Sequence, residues 1–173
     1  MSVLVTGTPG AGKTTLVAYA AKKGGNRFFD ADELPGLCEW REFETGKVLG
    51  LISDHKESGH DNWYKKYGWY WRKDRLKQFL HQHPNAVVCG SAENIADFYG
   101  LFDKLIIICV TKVELLHNLS SPGRVNPFGK TTKQRAGFME WQDYLVREAQ
   151  RFSPIFVEGN DIKKTYHDVV SVS

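Results

Sequence analysis

The chain has 173 residues, 42% apolar and 25% charged, with a net charge of +3; that length supports one domain whose core needs neither disulfides nor a structural metal. The charge is too small to argue by itself for nucleic acid or a membrane surface, and the three cysteines are too few for a disulfide framework. No apolar stretch is long enough for a bilayer, no Cys/His spacing resembles a zinc site, and the run Val3 to Val5 is too short for a signal segment, so a cytoplasmic protein is the expectation.

In chain order, the first predicted element is a strand over Ser2–Thr6. It leads into Gly7-Thr8-Pro9-Gly10-Ala11-Gly12-Lys13-Thr14, a full match to G-x-x-x-x-G-K-[ST]. Context separates this from a chance Gly-rich turn: an apolar strand precedes it, and a helix predicted over Lys13–Lys23 follows, ending at Gly24-Gly25. Glycines let the backbone wrap closely around phosphate oxygens. The loop N–H groups and the helix start then face the anion. Lys13 is placed to reach the β- and γ-phosphates, and the Thr14 hydroxyl to ligate magnesium. Ala11 and Thr15 complete the loop and the helix start. Residues Gly7 to Thr15 therefore predict binding of a nucleoside triphosphate, with ATP and Mg2+ favoured.

A second strand over Arg27–Phe29 runs into Asp30-Ala31-Asp32. In open α/β sheets ligands bind at the carboxyl ends of strands, so these two carboxylates share a rim with the phosphate loop. Asp30 is the candidate for magnesium through water, and Asp32 for orienting or deprotonating an acceptor hydroxyl. The alternative is that either acid only caps a helix.

Residues 33–72 are rich in glycine, aromatic and charged residues and show little periodicity, so they are expected to be irregular and to carry the substrate site. Trp63, Tyr64, Tyr67, Trp69, Tyr70 and Trp71 alternate with Lys65, Lys66, Arg72, Lys73, Arg75 and Lys77; Trp40 and Arg41 belong to the same region. The aromatics either stack on a base or sugar, with the cations on phosphate, or cover the core while the charges face water.

A helix over Lys73–His81 precedes a third strand over Ala86–Cys89. This strand lacks the terminal Asp that commonly supports magnesium in P-loop proteins; Ser91, Glu93 or Asn94 supplies polar groups there, or merely caps the short helix over Asn94–Tyr99. The missing Asp argues against a conventional GTPase or motor ATPase and fits a small-molecule kinase. Next come a strand over Lys104–Val110, a helix over Lys112–Leu119, an amphipathic helix over Thr132–Phe152, a strand over Pro154–Val157 and a helix over Ile162–Ser171. Strands alternating with helices, several of them continuously apolar, predict a parallel sheet covered on both faces. Residues 120–133 form a basic Gly/Pro-rich loop. Arg124 is the first candidate to close over the transferring phosphoryl group, followed by Asn126 and Arg135, with Gly123 and Gly129 as hinges; Lys130 and Lys133 read more simply as solvated charge.

At this point the chain resembles the adenylate-kinase-like group of small P-loop kinases, including its shikimate-kinase-like and nucleoside-kinase-like branches. The resemblance rests on Gly7-Thr8-Pro9-Gly10-Ala11-Gly12-Lys13-Thr14-Thr15-Leu16, on Asp30-Ala31-Asp32 and on Arg124-Val125-Asn126-Pro127-Phe128-Gly129-Lys130. It covers the whole chain in the order of elements, and the first motif is the specific one. It implies a three-layer α/β/α sandwich over residues 1–173 with a five-stranded parallel sheet of order 2-3-1-4-5. It also implies an acceptor-binding insert with its following helix over 33–84 and a lid over 120–135. In the shikimate-kinase-like branch the two aspartates serve magnesium and acceptor, which carries to Asp30 and Asp32, and the lid arginine carries to Arg124. The insert departs from the family in lacking a nucleoside monophosphate or shikimate signature, and the lid has few arginines. The expected function is transfer of the γ-phosphate of ATP to a small metabolite, with a nucleoside or nucleotide favoured. The alternatives are a nucleotide-dependent switch without a phosphorylated product and, less favoured, a kinase of nucleic-acid ends.

Overall fold

The computed structural model describes residues 1–50, 61–121, 129 and 131–173. Five strands form a parallel sheet: β1 (Val3–Thr6), β2 (Phe28–Asp30), β6 (Val87–Cys89), β7 (Lys104–Cys109) and β8 (Ile155–Glu158). Its order is β2-β6-β1-β7-β8. Counted over these five strands alone, that is the expected 2-3-1-4-5. β1 is central, with Val3 in register with Val87 on one side and with Lys104 on the other.

Both faces of the sheet are buried, which is why these strands read as unbroken apolar runs rather than alternating ones. Leu4, Val88 and Ile107 point to one core, shared with α3 (Lys73–Gln82), a 3-10 segment over Ile95–Leu101 and α5 (Thr132–Ala149). Val3, Val5, Val87, Ile106 and Ile108 point to the other, shared with α1 (Lys13–Lys22), α4 (Lys112–Leu119) and α6 (Ile162–Val172). Each fully buried Val, Leu or Ile is worth about 1.5–3 kcal/mol relative to an exposed one, so the strands that carry the site are also the best-anchored part of the molecule.

The helix ends follow from local chemistry. Gly24 adopts φ 77° after α1; its N–H donates to Ala21 O at 3.1 Å, and that of Gly25 to Ala20 O at 2.8 Å. This paired closure requires a left-handed residue, the role expected of the two glycines. Thr111 and Glu114 cap α4 reciprocally, through Glu114 N to Thr111 Oγ1 at 3.2 Å and Thr111 N to Glu114 Oε2 at 2.7 Å.

The expectation that residues 33–72 are irregular is corrected among the described residues. Here β3 (Cys38–Glu42), β4 (Val48–Gly50) and β5 (Tyr67–Trp71) build a three-stranded antiparallel sheet of order β4-β3-β5, and α2 (Asp61–Lys66) leads directly into β5. Cys38 pairs with Trp71, and Trp40 with Trp69. The physical reason is cross-strand packing: the Trp40 and Trp69 rings lie 5.2 Å apart, and such aromatic pairs stabilise antiparallel ladders. The sheet is fastened to the main domain beside the carboxyl end of β6. Trp69 O accepts from Glu93 N at 2.8 Å, and the Asn94 side chain exchanges two 3.0 Å hydrogen bonds with the backbone of Trp71.

Candidate active site

The phosphate loop joins β1 to α1. Gly10 and Gly12 have φ of 92° and 96°, values an L side chain resists. Gly7 is held by close approach instead, since a Cβ there would sit 2.7 Å from Ile108 O. Lys13 Nζ lies 2.7 Å from Gly7 O and 3.1 Å from Thr8 O, folded over the mouth of its own loop. Thr14 and Thr15 are exposed at the start of α1. Two side chains brace the loop from outside. Thr8 Oγ1 donates to Phe138 O on α5 at 2.7 Å, and Asn118 Nδ2 on α4 donates to Gly10 O at 2.9 Å. The loop is thus tied to the two helices that flank residues 120–131.

Beside it, β2 delivers the two aspartates. Asp30 is buried, and its Oδ1 accepts from Asp32 N at 3.1 Å, so it starts the short 3-10 turn that follows. That is the capping role weighed as the alternative, and it occupies one of the two carboxylate oxygens. Asp32 projects into the cleft, where Trp69 Nε1 donates to its Oδ1 at 2.9 Å. Crowding by protein raises the Asp32 carboxyl above the ordinary carboxylate range. The indole hydrogen bond and the Lys13 charge pull against this, and the Asp30 charge adds to it. Asp30 and Lys13 are thus both within electrostatic reach of Asp32.

One continuous cavity of about 1140 Å³ runs from the phosphate loop in two directions. One arm is lined by His117, Asn118 and Ser121 from the end of α4 and by Gly159, Asn160 and Ile162 from the β8–α6 connection. Gly159 permits this close fit, since a Cβ there would lie 2.8 Å from Ala11 O. The other arm is lined by Asp32, Tyr64, Lys65, Trp69, Ser91, Glu93, Phe138 and Trp141. Glu93 is exposed at the cavity wall, and the protein around it takes away enough solvent to raise its carboxyl.

The remaining sequence candidates divide. Of the insert aromatics, Trp40, Trp63 and Trp71 are buried, whereas Tyr64 and Trp69 line the cavity. The core-covering alternative therefore holds for the buried three. Asn94 is used structurally, on the Trp71 backbone, and Ser91 Oγ accepts from Trp141 Nε1 at 3.3 Å. Arg135 Nε donates to Gly129 O at 2.8 Å. Arg124, Asn126, Gly123 and Lys130 lie outside the described residues. At Gly90, the first residue after the third sheet strand, a Cβ would stand 2.5 Å from both Ala31 Cβ and a ring carbon of Trp71, so an Asp at that position would crowd both neighbours. Trp141 and Phe138 were legible only as members of the apolar stripe of a long helix, a pattern that does not separate core from cleft wall.

The site suits magnesium by donor type and not as a closed protein cage. Thr14 offers a hydroxyl, and Asp30 and Asp32 offer carboxylates. Among the described residues no cluster of three His, Cys, Asp or Glu side chains is placed to hold a metal. That fits an ion bound through one or two protein oxygens, water and phosphate.

Among the described residues no helix is long and apolar enough to cross a membrane. No protein-family model matches the chain, and no curated protein matches it in sequence. Solved structures do. A shikimate kinase from Acinetobacter baumannii in complex with shikimate superposes with TM-score 0.62 at 14% identity, over 99% of this chain and 91% of that one. A deoxyadenosine kinase from M. mycoides with bound dATP gives TM-score 0.59 at 16% identity, over 99% and 98%. A shikimate kinase from Bacteroides thetaiotaomicron gives 0.51 at 15% identity, over 99% and 97%. This chain has the α/β fold of the small P-loop kinases.

Proposed function

We propose that the protein is an ATP-dependent phosphotransferase acting on a small hydroxyl-bearing acceptor, with nucleosides or nucleotides favoured, in the cytoplasm. The observation that carries this reading is the single cavity joining the phosphate loop to Asp32. A triphosphate on the loop would direct its γ-phosphate towards the arm that holds a carboxylate suited to an incoming hydroxyl.

Residues Gly7 to Thr15 bind the triphosphate in this reading, with the base in the arm between Asn118 and Asn160. Lys13 exchanges its loop carbonyls for phosphate oxygens. Thr14 and the second oxygen of Asp30 hold magnesium, directly or through water, and the ion when bound supplies charge neutralisation at the phosphates. Asp32 accepts a hydrogen bond from the acceptor hydroxyl and takes its proton as the oxygen attacks. Its raised carboxyl makes it a better base than an ordinary aspartate. Arg124 remains the candidate to stabilise charge on the transferring group. The shikimate bound in one structural neighbour and the dATP in another support a small-molecule acceptor and a nucleotide in this fold.

The test is transfer of labelled γ-phosphate from ATP and magnesium to a panel of nucleosides, nucleotides, hydroxy acids and oligonucleotides. Label on a small acceptor is the expected result. Label released only as free phosphate overturns the kinase reading in favour of a nucleotide-dependent switch, and label on oligonucleotide ends favours the nucleic-acid reading.

A further inference from the structure

The phosphate loop opens with a turn that is held from outside. Thr8, Pro9, Gly10 and Ala11 form it, and Ala11 N donates to Thr8 O at 3.0 Å. Proline at the second position and a φ of 92° at the third are the marks of a type II turn. The peptide between Gly10 and Ala11 is held at both ends. Its N–H closes the turn, and its carbonyl accepts from Asn118 Nδ2 at 2.9 Å. Leu115 and Leu119 bring α4 against the same glycine, since a Cβ on Gly10 would stand 3.0 Å from a methyl carbon of each. Thr8 is anchored separately, buried with its hydroxyl on Phe138 O at 2.7 Å.

An anion cradle depends on which end of each peptide faces the ligand. Backbone N–H groups attract phosphate oxygens, and a carbonyl turned the same way repels them. Glycine accepts either sense of φ at little cost, so Gly10 does not by itself fix how the Gly10–Ala11 peptide sits. Asn118 supplies that constraint. Only the NH2 end of its amide can donate to a carbonyl, so the side chain favours one orientation of the peptide, with the Gly10 oxygen against α4.

Resting on the kinase reading above, we propose that Asn118 is a positioning residue for the triphosphate, which holds the Gly10 carbonyl against α4 and thereby keeps the loop in the form that offers N–H groups to phosphate. Asn118 also borders the nucleotide arm of the cavity. Its effect nevertheless runs through the loop, so it is felt by any polyphosphate, with or without a base.

The experiment compares the full chain with Asn118→Leu, which keeps the size of the side chain and removes its donor. Two probes are titrated by calorimetry in the presence of magnesium: ATP, and inorganic tripolyphosphate, which has no base. The ligand-free melting temperature is recorded alongside. The expected result is that both ligands weaken by the same factor, about 3- to 10-fold, the worth of one neutral hydrogen bond. Weakening confined to ATP makes Asn118 a base contact and overturns the inference. A lowered melting temperature with both affinities unchanged makes it a brace of the fold, and overturns it too. Asn118→Ala, which also lacks the donor, replaces Asn118→Leu if the latter does not fold. If the unmodified protein binds neither ligand, the kinase reading fails and takes this inference with it. If it binds both and the variant binds them equally well, the inference alone falls.

Discussion

Trp69 Nε1 donates to Asp32 Oδ1 at 2.9 Å and so joins the second sheet to the main one at the centre of the cleft. The hydrogen bond holds one carboxylate oxygen and leaves the other for a ligand. It also stabilises the ionised form, opposing the rise that crowding imposes on Asp32. In Trp69→Phe that opposition is gone and the Asp32 carboxyl rises further. If Asp32 works as the ionised base, the acid limb of the kcat/KM profile moves to higher pH. Turnover then falls most on that limb, because a hydrogen bond that favours the ionised form has been removed. A pH–rate profile of both proteins checks this; an acid limb that stays in place removes Trp69 from the chemistry and leaves it as a wall.

The same raised carboxyl has a consequence for stability, with a definite sign. Folded Asp32 holds its proton more tightly than the unfolded chain does. Between the ordinary aspartate value of about 4 and the raised one, the folded state binds more protons, so stability falls as pH rises through that window. Above it the cost is present in full. Asp32→Asn keeps an oxygen for the Trp69 N–H and removes the charge. Its melting temperature at neutral pH is expected to equal or exceed that of the unmodified protein, with the advantage disappearing well below pH ~4. Its turnover is expected to drop by about 100-fold or more, in line with loss of a general base. Melting curves across pH and a turnover assay decide the matter. A variant less stable at neutral pH but not in acid contradicts the crowding argument.

How much of this was legible in the sequence depends on where the determining contacts lie. The phosphate loop needs only its own glycines and the strand and helix beside it, so the motif was readable at once. The five sheet strands were readable because burial on both faces demands unbroken apolar runs such as Leu105 to Ile108. β3 was harder. Cys38-Glu39-Trp40-Arg41-Glu42 does alternate, and Cys38 and Trp40 are the buried positions. But its partner β5 comes only after β4 and α2, and its charged residues resemble those of a loop. Trp141 shows the other limit. Helical spacing placed it on the apolar side of α5, and only the tertiary fold shows that this part of the side borders a cavity.

Gly90 tests the crowding at the end of the third sheet strand. A methyl group there would meet Ala31 Cβ and a Trp71 ring carbon at 2.5 Å each. Both neighbours belong to the packed core, Ala31 at 0% and Trp71 at 1% exposure, so neither can retreat cheaply. Gly90→Ala is expected to cost about 1–3 kcal/mol, the usual range for overpacking. In a protein of this size that lowers the melting temperature by several degrees. Calorimetric melting is the check, and an unaltered transition means the junction of the two sheets is looser than the contacts indicate.

Lys13 bears on the nucleotide half of the reading. Its ammonium sits on Gly7 O and Thr8 O, where it closes the loop mouth by neutralising carbonyl dipoles. A bound triphosphate would offer a full negative charge in place of those dipoles, and the lysine gains more from the second partner than the first. ATP with magnesium at about 100 times its Kd stabilises a folded protein by about 2.7 kcal/mol, which is readily seen as a thermal shift. Lys13→Ala is expected to lose most of that shift, while its own melting temperature without nucleotide changes little. Thermal melts of both proteins over an ATP series measure the two quantities together. An undiminished shift in the variant would place the triphosphate somewhere other than the loop between β1 and α1. A large drop in the nucleotide-free melting temperature would instead make Lys13 a structural clasp of that loop.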